Sequence, residues 1–401
     1  MFLAGDEDGD LKAVSTRGLL SSRLGGMGTT IFAEMSALAA TTGAINLGQG
    51  FPDTDGPEAV REAAVRALRE GRGNQYPPGP GVPELRVAIA AHQKRFYGLD
   101  VDPDTEVLVT AGATEAIAAA LLALVEPGDE VIAFEPFYDS YAACVAMTGA
   151  RLLPLTLRAP DFRPDLDALR ALVTPRTRLL LLNSPHNPTG MVLTDAELAA
   201  IAELAVERDL LVVTDEVYEH LVFDGRHLPL IGLPGMRERT VAISSAGKTF
   251  SFTGWKVGWV TAAPELVAAV RTAKQFLTYV CSGPFQYAVA EALHLPGDYF
   301  TAFRDGLRAR RDLLADGLAD AGFEVYRPEG TYFITTDISS LGERDALAFC
   351  RGLPTRCGVV AVPNSVFYST PGVGGAQVRF AFCKREDVLR EAAARLRRLA
   401  G

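Results

Sequence analysis

Lysine is scarce in this 401-residue chain: six lysines (Lys12, Lys94, Lys248, Lys256, Lys274 and Lys384) stand against 33 arginines. Any chemistry that needs a primary amine therefore has six candidates. Cysteine is scattered, and Cys144, Cys281, Cys350, Cys357 and Cys383 include no C-x-x-C pair, which argues against a zinc site and a disulfide framework. The five histidines form no H-E-x-x-H motif, so no metal is expected. Positive charge is not in excess either. The formal net charge is −10, and a net-acidic chain without a basic stripe is a poor partner for nucleic acid or an anionic membrane. Long apolar runs are missing: the uncharged stretch 116–125 is about half of the roughly 20 residues that a membrane span needs. Residues 1–10 are acidic where a secretory signal carries positive charge. A reduced, cytoplasmic protein is expected.

What is present is ordinary for a globular protein: 48% apolar residues and 22% charged ones, in a chain long enough for two or three domains. Residues 1–28, rich in Gly and Ser, read as an N-terminal arm, and 45–53 read as a short strand running into a turn. From 58 to about 295, short apolar runs at 106–110, 130–134, 151–157, 178–182, 210–214, 240–244 and 255–261 suit buried strands. Ala/Leu-rich helical periods such as 115–125 and 195–208 lie between them. This alternation predicts an α/β fold with a mostly parallel central sheet covered by helices. After 296 the pattern changes to a helix at 301–321, strands near 323–326, 331–335, 359–362 and 377–382, and a closing helix at 385–399. The expected division is a large domain over 57–295 and a smaller α+β domain from 29–56 and 296–401.

In an open α/β sheet, ligands bind beyond the carboxyl ends of the strands, so the residues there are the candidates for chemistry. Ser245-Ala246-Gly247-Lys248-Thr249 contains Gly-Lys-Thr, but a P-loop needs glycine at 242, which is Ala, and a helix opening at the lysine. The alternative sets Lys248 in a turn after a buried strand, between Ser245 and Lys256. A partly desolvated lysine beside other cations has a lowered pKa and forms Schiff bases. Asp215 comes straight off the run 210–214; it either caps a turn or holds a pyridine nitrogen protonated, as a pyridoxal cofactor requires. Asn183-Ser184-Pro185-His186-Asn187-Pro188 is a rigid turn that fixes the Asn187 amide, with His186 a turn residue. Ala113 and Thr114 open a helix, where free N–H groups and the positive dipole end make a phosphate seat. Tyr138 is an aromatic after another strand, placed for core packing or for the pocket. Arg379 sits alone in the apolar run Val378-Arg379-Phe380, where a buried guanidinium needs an anion such as a carboxylate. Together these residues describe one pocket for a phosphorylated aldehyde cofactor and an α-carboxylate.

The sequence resembles the fold-type-I, class I/II pyridoxal-phosphate aminotransferases from about residue 29 onward. The resemblance rests on Asn46-Leu47-Gly48-Gln49-Gly50-Phe51-Pro52, Asn187-Pro188-Thr189-Gly190, Thr214-Asp215-Glu216-Val217-Tyr218, Ser245-Ala246-Gly247-Lys248-Thr249-Phe250 and Thr253-Gly254-Trp255-Lys256-Val257-Gly258-Trp259. Within that family it is similar to the kynurenine/glutamine group. It most resembles actinobacterial N-succinyldiaminopimelate aminotransferases, through Asn74-Gln75-Tyr76-Pro77, Glu135-Pro136-Phe137-Tyr138-Asp139-Ser140-Tyr141 and Ser184-Pro185-His186.

The resemblance implies pyridoxal 5′-phosphate as cofactor, bound to Lys248 as a Schiff base, with Lys248 also moving the proton. It implies that Asp215 pairs with the ring nitrogen, that Asn187 and Tyr218 hydrogen-bond the ring oxygen, and that Tyr138 stacks on the ring. The phosphate would lie on Ala113, Thr114, Ser245 and Lys256, with Tyr76 reaching in from the partner of a homodimer with shared active sites. Arg379, Asn187 and the Gly50 backbone would hold the substrate carboxylate, and Phe32 would line the pocket. The implied reaction is ping-pong transfer of an amino group to 2-oxoglutarate through pyridoxamine phosphate. Its leading donor is N-succinyl-LL-diaminopimelate, in lysine biosynthesis, followed by aromatic, Met, Gln or kynurenine-type donors. The alternative is a cysteine-conjugate β-lyase.

Overall fold

The computed structural model describes residues 21–25 and 30–399; most of the expected arm, residues 1–28, lies outside the described residues. In chain order the strands are β1 (Ile45–Asn46), β2 (Val107–Thr110), β3 (Glu130–Glu135), β4 (Arg151–Thr156), β5 (Thr177–Asn183), β6 (Leu211–Asp215), β7 (Thr240–Ser245), β8 (Gly258–Ala262), β9 (Glu324–Tyr326), β10 (Phe333–Asp337), β11 (Val359–Val360), β12 (Val362–Pro363) and β13 (Gln377–Ala381).

The central sheet has seven strands in the order β2-β8-β7-β6-β5-β3-β4. The strand β8 is antiparallel to both its neighbours, while β3, β4, β5, β6 and β7 pair in parallel. The apolar runs are continuous because both faces are covered, and the two-residue period of a strand sorts alternate side chains onto the two cores. Val131, Ala133, Leu179, Leu181, Val213 and Ile243 pack with Ala116, Ile117 and Ala120 of the helix Gly112–Leu124. Ile132, Phe134, Leu180, Leu182 and Val212 pack on the other face with Ile201 and Ala205 of the helix Asp195–Glu207.

The later residues form an antiparallel sheet, β12-β13-β10-β9. Ile334, Val378 and Phe380 of that sheet meet Leu314, Leu318, Phe349 and Leu389 from three helices. Two expectations change. The run 359–362 is not one strand: it divides at Ala361, with β11 pairing β1 and β12 pairing β13. The run 255–261 becomes strand only at Gly258, because Thr253–Trp255 winds as a 3-10 turn and Lys256 turns left-handed at φ +54°.

Beside the end of β6 lies a buried polar cluster. Tyr97 donates to Glu219 at 2.5 Å, Ser244 donates to the same carboxylate, and His227 meets Glu216 at 2.8 Å. His92, Glu219 and His220 are the group with metal-ligand character among the described residues. The two Nε2 atoms, however, lie 2.7 Å apart and share a proton; two nitrogens on one zinc, each at about 2.0–2.1 Å, stand roughly 3.3 Å apart. The arrangement is a hydrogen-bond network.

Burial pushes His186 down to about 4 and His220 to about 3. Below pH 6.5 the unfolded chain takes up these protons and the native chain does not. Stability is therefore present above pH 6.5 and lost as the pH falls toward 4, with His186 alone contributing about 3 kcal/mol. His227, which Glu216 raises against its burial, acts in the opposite sense, losing its contribution as the pH rises. Calorimetry from pH 8 to pH 4 should show Tm falling below pH 6.5; a flat Tm would refute the assignment.

Candidate active site

The carboxyl ends of β5, β6 and β7 open onto a cavity of about 370 Å³, within the range of small-molecule sites. Asn183, Asp215 and Ser245 are the last residues of those strands and all line it, and Asn183 stands opposite Asp215 in register. Gly50, Phe333 and Arg379 close the far side.

Lys248 lies in a four-residue helix, Ala246–Thr249, that follows β7 directly, rather than in an open turn. Its Nζ donates to the Tyr332 hydroxyl at 2.9 Å. Burial pushes the amine down to about 8; Cys383 and Asp215 oppose the shift, while Arg379 and Lys256 add to it. At that value roughly a quarter of the amine is neutral at pH 7.5, against about 0.1% for an ordinary lysine. The site thus holds a nucleophilic amine.

Asp215 is buried, and Tyr141 donates to its Oδ2 at 2.6 Å. Burial raises the carboxyl, while the Tyr141 hydroxyl, the Val217 N–H and the Lys248 charge pull it back. Such a group stays ionised best with a cation at its open edge. Asn183 supports it from behind: its Nδ2 donates to the Asp215 carbonyl, and its Oδ1 accepts the Asn187 N–H at 2.7 Å.

An anion seat faces this carboxylate across the cavity. The helix Gly112–Leu124 begins there with its free N–H groups, and left-handed Lys256 brings its ammonium beside Gly112. The approach is close enough that a Cβ on Gly112 would lie 3.0 Å from Lys256 Nζ. Gly258 makes it possible, since a Cβ there would stand 2.6 Å from the Gly112 carbonyl carbon.

Arg379 is fully buried because β13 alternates: Val378 and Phe380 enter the core, and the guanidinium between them points to the cavity. It donates to Asn187 Oδ1 at 2.9 Å and to the Gly48 carbonyl at 3.1 Å, both uncharged acceptors. Phe333, Phe367 and Phe32 surround it, with ring centroids 4.0, 4.9 and 5.3 Å from Cζ. Burial lowers its pKa to about 10, and Nε has no partner among the described residues. A dry cation held by neutral groups is a receptor for a carboxylate.

Every residue expected at the site except Tyr76 lines this cavity: Phe32, Gly50, Ala113, Thr114, Tyr138 and Asn187, then Asp215, Tyr218, Ser245, Lys248, Lys256 and Arg379. Tyr76 is 81% exposed, with its ring edge-on to Tyr279 at 5.4 Å. His186 is buried, bonded to Thr189 through Nδ1. Sequence reasoning gave no role to Tyr141, Asn183 or Tyr332. The spacing of Tyr138 and Tyr141, one helical turn apart, is a signal for the first. The terminal position of Asn183 on its strand is a signal for the second. Nothing local marks Tyr332.

The sequence model of the aminotransferase class I and II family matches residues 42–396. The chain belongs to that family. It is 57% identical over 391 residues to the probable N-succinyldiaminopimelate aminotransferase of Mycobacterium tuberculosis, covering 94% of this chain and 98% of the relative. It is 44% identical over 379 residues to the methionine aminotransferase of Escherichia coli, with coverages of 94% and 98%. The solved structure of the M. tuberculosis N-succinyldiaminopimelate aminotransferase superposes with a TM-score of 0.93, over 95% of this chain and 100% of that one. The fold is therefore fold type I, and the chain is a pyridoxal-phosphate-dependent aminotransferase. The cavity of this aminotransferase suits that cofactor: an anion seat under Lys256, a buried carboxylate at Asp215 and a lowered amine at Lys248 surround one space. No helix among the described residues is long and apolar enough to cross a membrane.

Proposed function

We propose that this aminotransferase takes the amino group of N-succinyl-LL-diaminopimelate and passes it to 2-oxoglutarate in a ping-pong cycle. The observation that carries the donor assignment is the 57% identity, across nearly the whole of both chains, to the M. tuberculosis enzyme. The 44% identity to a methionine aminotransferase supports methionine as the second reading. The cysteine-conjugate β-lyase reading has no such support.

In this reading Ala113, Thr114, Ser245 and Lys256 bind the phosphate, and Asp215, held by Tyr141, fixes the ring nitrogen. Asn187 and Tyr218 contact the ring oxygen, and Tyr138 covers the ring face. Bound there, the cofactor supplies an electron sink for charge developing at the substrate α-carbon. Lys248 Nζ is the covalent anchor and accepts the proton from that α-carbon. Arg379 forks the α-carboxylate with help from Asn187 and the Gly50 N–H, which turns the α-carbon toward Lys248. Phe32 shapes the space for the side chain.

The reading includes a homodimer in which Tyr76 enters the partner's site. Tyr76, Phe276, Leu277 and Tyr279 are large apolar residues left exposed, and Tyr76 and Tyr279 pack together, which supports an interface there. It also includes a large domain at 57–295, a small one from 29–56 with 296–401, and a cytoplasmic location, which the five free cysteines fit.

The test is a panel of donors against 2-oxoglutarate. N-succinyl-LL-diaminopimelate should give the highest kcat/KM. If methionine or kynurenine exceeds it more than about a thousandfold, roughly 4 kcal/mol of discrimination, the donor assignment is wrong.

A further inference from the structure

Tyr332 stands immediately before β10, and its ring is fully buried. Its position is set by backbone contacts on both sides: Phe382 N–H donates to its carbonyl at 2.9 Å, and Thr331 N–H donates to the Leu221 carbonyl at 2.9 Å. The rings of Tyr218 and Phe333 meet it edge-on, at 5.2 and 4.8 Å. So constrained, its hydroxyl lies among Gly50, Lys248 and the Tyr218 hydroxyl. It donates to the Gly50 carbonyl at 2.5 Å and accepts from Lys248 Nζ at 2.9 Å.

The bookkeeping of protons decides what this hydroxyl does. A phenol has one proton, and here it is committed to Gly50, so only lone pairs face Lys248. The lysine must donate to Tyr332, whether it is an ammonium or a neutral amine. Without the phenol, the nearest acceptor for that N–H is the Gly50 carbonyl itself, now 3.5 Å from Nζ. The same carbonyl belongs to a segment held by two other donors, Arg379 to Gly48 and Lys384 to Phe51.

The geometry points to Tyr332 as the positioning residue that keeps the Lys248 amine off the Gly50 carbonyl and turned toward the cavity, an inference that rests on the role proposed above for Lys248. An amine that donates one N–H to Tyr332 directs its lone pair away from both acceptors. Tyr332 also ties the lysine to the loop whose Gly50 N–H faces the substrate carboxylate in that reading. Gly50 lies close against Phe333: a Cβ there would stand 2.5 Å from that ring, so no side chain fits. The lysine and the carboxylate receptor are thus set at a fixed spacing by one hydroxyl.

Tyr332→Phe removes that hydroxyl and keeps the ring. With the holoenzyme, kcat should fall about 10- to 100-fold while KM for the amino donor changes less than about threefold. A second readout needs no turnover. In the full-length chain stripped of cofactor, the pH dependence of Lys248 acetylation, followed by mass spectrometry, should have its midpoint near 8 in the native protein. The variant's midpoint should be higher by about one pH unit, because the amine then closes on the Gly50 carbonyl, a stronger acceptor than a phenol oxygen, and the ammonium form is favoured. The other groups acting on Nζ, Asp215, Cys383, Arg379 and Lys256, are not bonded to the phenol, while Tyr218 beside Nζ loses the Tyr332 hydroxyl as a partner. A kcat within twofold of native together with an unmoved midpoint overturns the inference. Tyr332→Met, which keeps bulk without a ring or hydroxyl, reads the same two quantities should the Phe variant fold poorly. Borohydride reduction of the native holoenzyme separates the two levels. Label on Lys248 with an unaffected Tyr332→Phe sinks this inference alone; label on another lysine sinks the reading of Lys248 and this inference with it.

Discussion

Lys248→Ala should lower kcat by four or more orders of magnitude while Tm stays within a few degrees of native. The two halves have separate causes. Lys248 is a desolvated amine with its pKa pushed down to about 8, so the fold holds its charge at a cost and loses little when it is removed. In the reading proposed here it is both the covalent anchor and the proton acceptor, and alanine abolishes both roles. The other lysines among the described residues offer no replacement. Lys94 pairs with Asp100 on the surface, Lys274 donates to the Tyr279 carbonyl, and Lys384 donates to Phe51. Lys256 does line the cavity, but its ammonium lies beside Gly112. Borohydride reduction followed by peptide mapping checks the assignment directly, and the modified residue should be Lys248. A Lys248→Ala variant that retained more than about one per cent of native kcat would rule the role out.

Replacing Arg379 by Leu should reduce kcat/KM for the amino donor by about 10²- to 10⁴-fold and leave the protein as stable as before or more so. Each charge-assisted hydrogen bond to the carboxylate contributes about 1.5–3 kcal/mol, and the guanidinium fork supplies two. The stability half follows from burial. Arg379 is 1% exposed, its hydrogen-bond partners are uncharged, and three phenylalanine rings enclose it. Leucine removes the desolvation penalty, although it leaves Asn187 Oδ1 and the Gly48 carbonyl without this donor. Arg379→Lys restores the charge as a point and not as a fork, so it should recover only part of the lost activity. Thermal unfolding and steady-state kinetics on the same preparations decide the matter. A large loss of Tm in Arg379→Leu would mean that the arginine is a structural tie and not a receptor kept for its ligand.

The alternation of short apolar runs with Ala/Leu-rich helical periods was sufficient, by itself, to determine a mostly parallel sheet with covered faces, because burial on both sides leaves a local compositional trace. The rule that ligands lie beyond strand ends then placed Asp215, Ser245 and Asn187 at one edge without any knowledge of contacts. The scarcity of lysine and the isolation of Arg379 in an apolar strand singled out two more. What the sequence could not determine depends on pairs of residues far apart in the chain. The antiparallel course of β8 and the division of 359–362 between two sheets follow from which neighbour each segment meets, and not from its composition. The anion seat needs Lys256 to turn left-handed against Gly112, a contact that two glycines make possible. Tyr141 reaches Asp215 across 74 residues, and Tyr332 reaches Gly50 across 282. Tyr332 does not differ locally from a core aromatic, and Tyr141 carries only its helical spacing from Tyr138 as a sign. A hydroxyl acquires a partner only when packing brings another element to within about 3 Å of it, so that choice belonged to the tertiary structure alone.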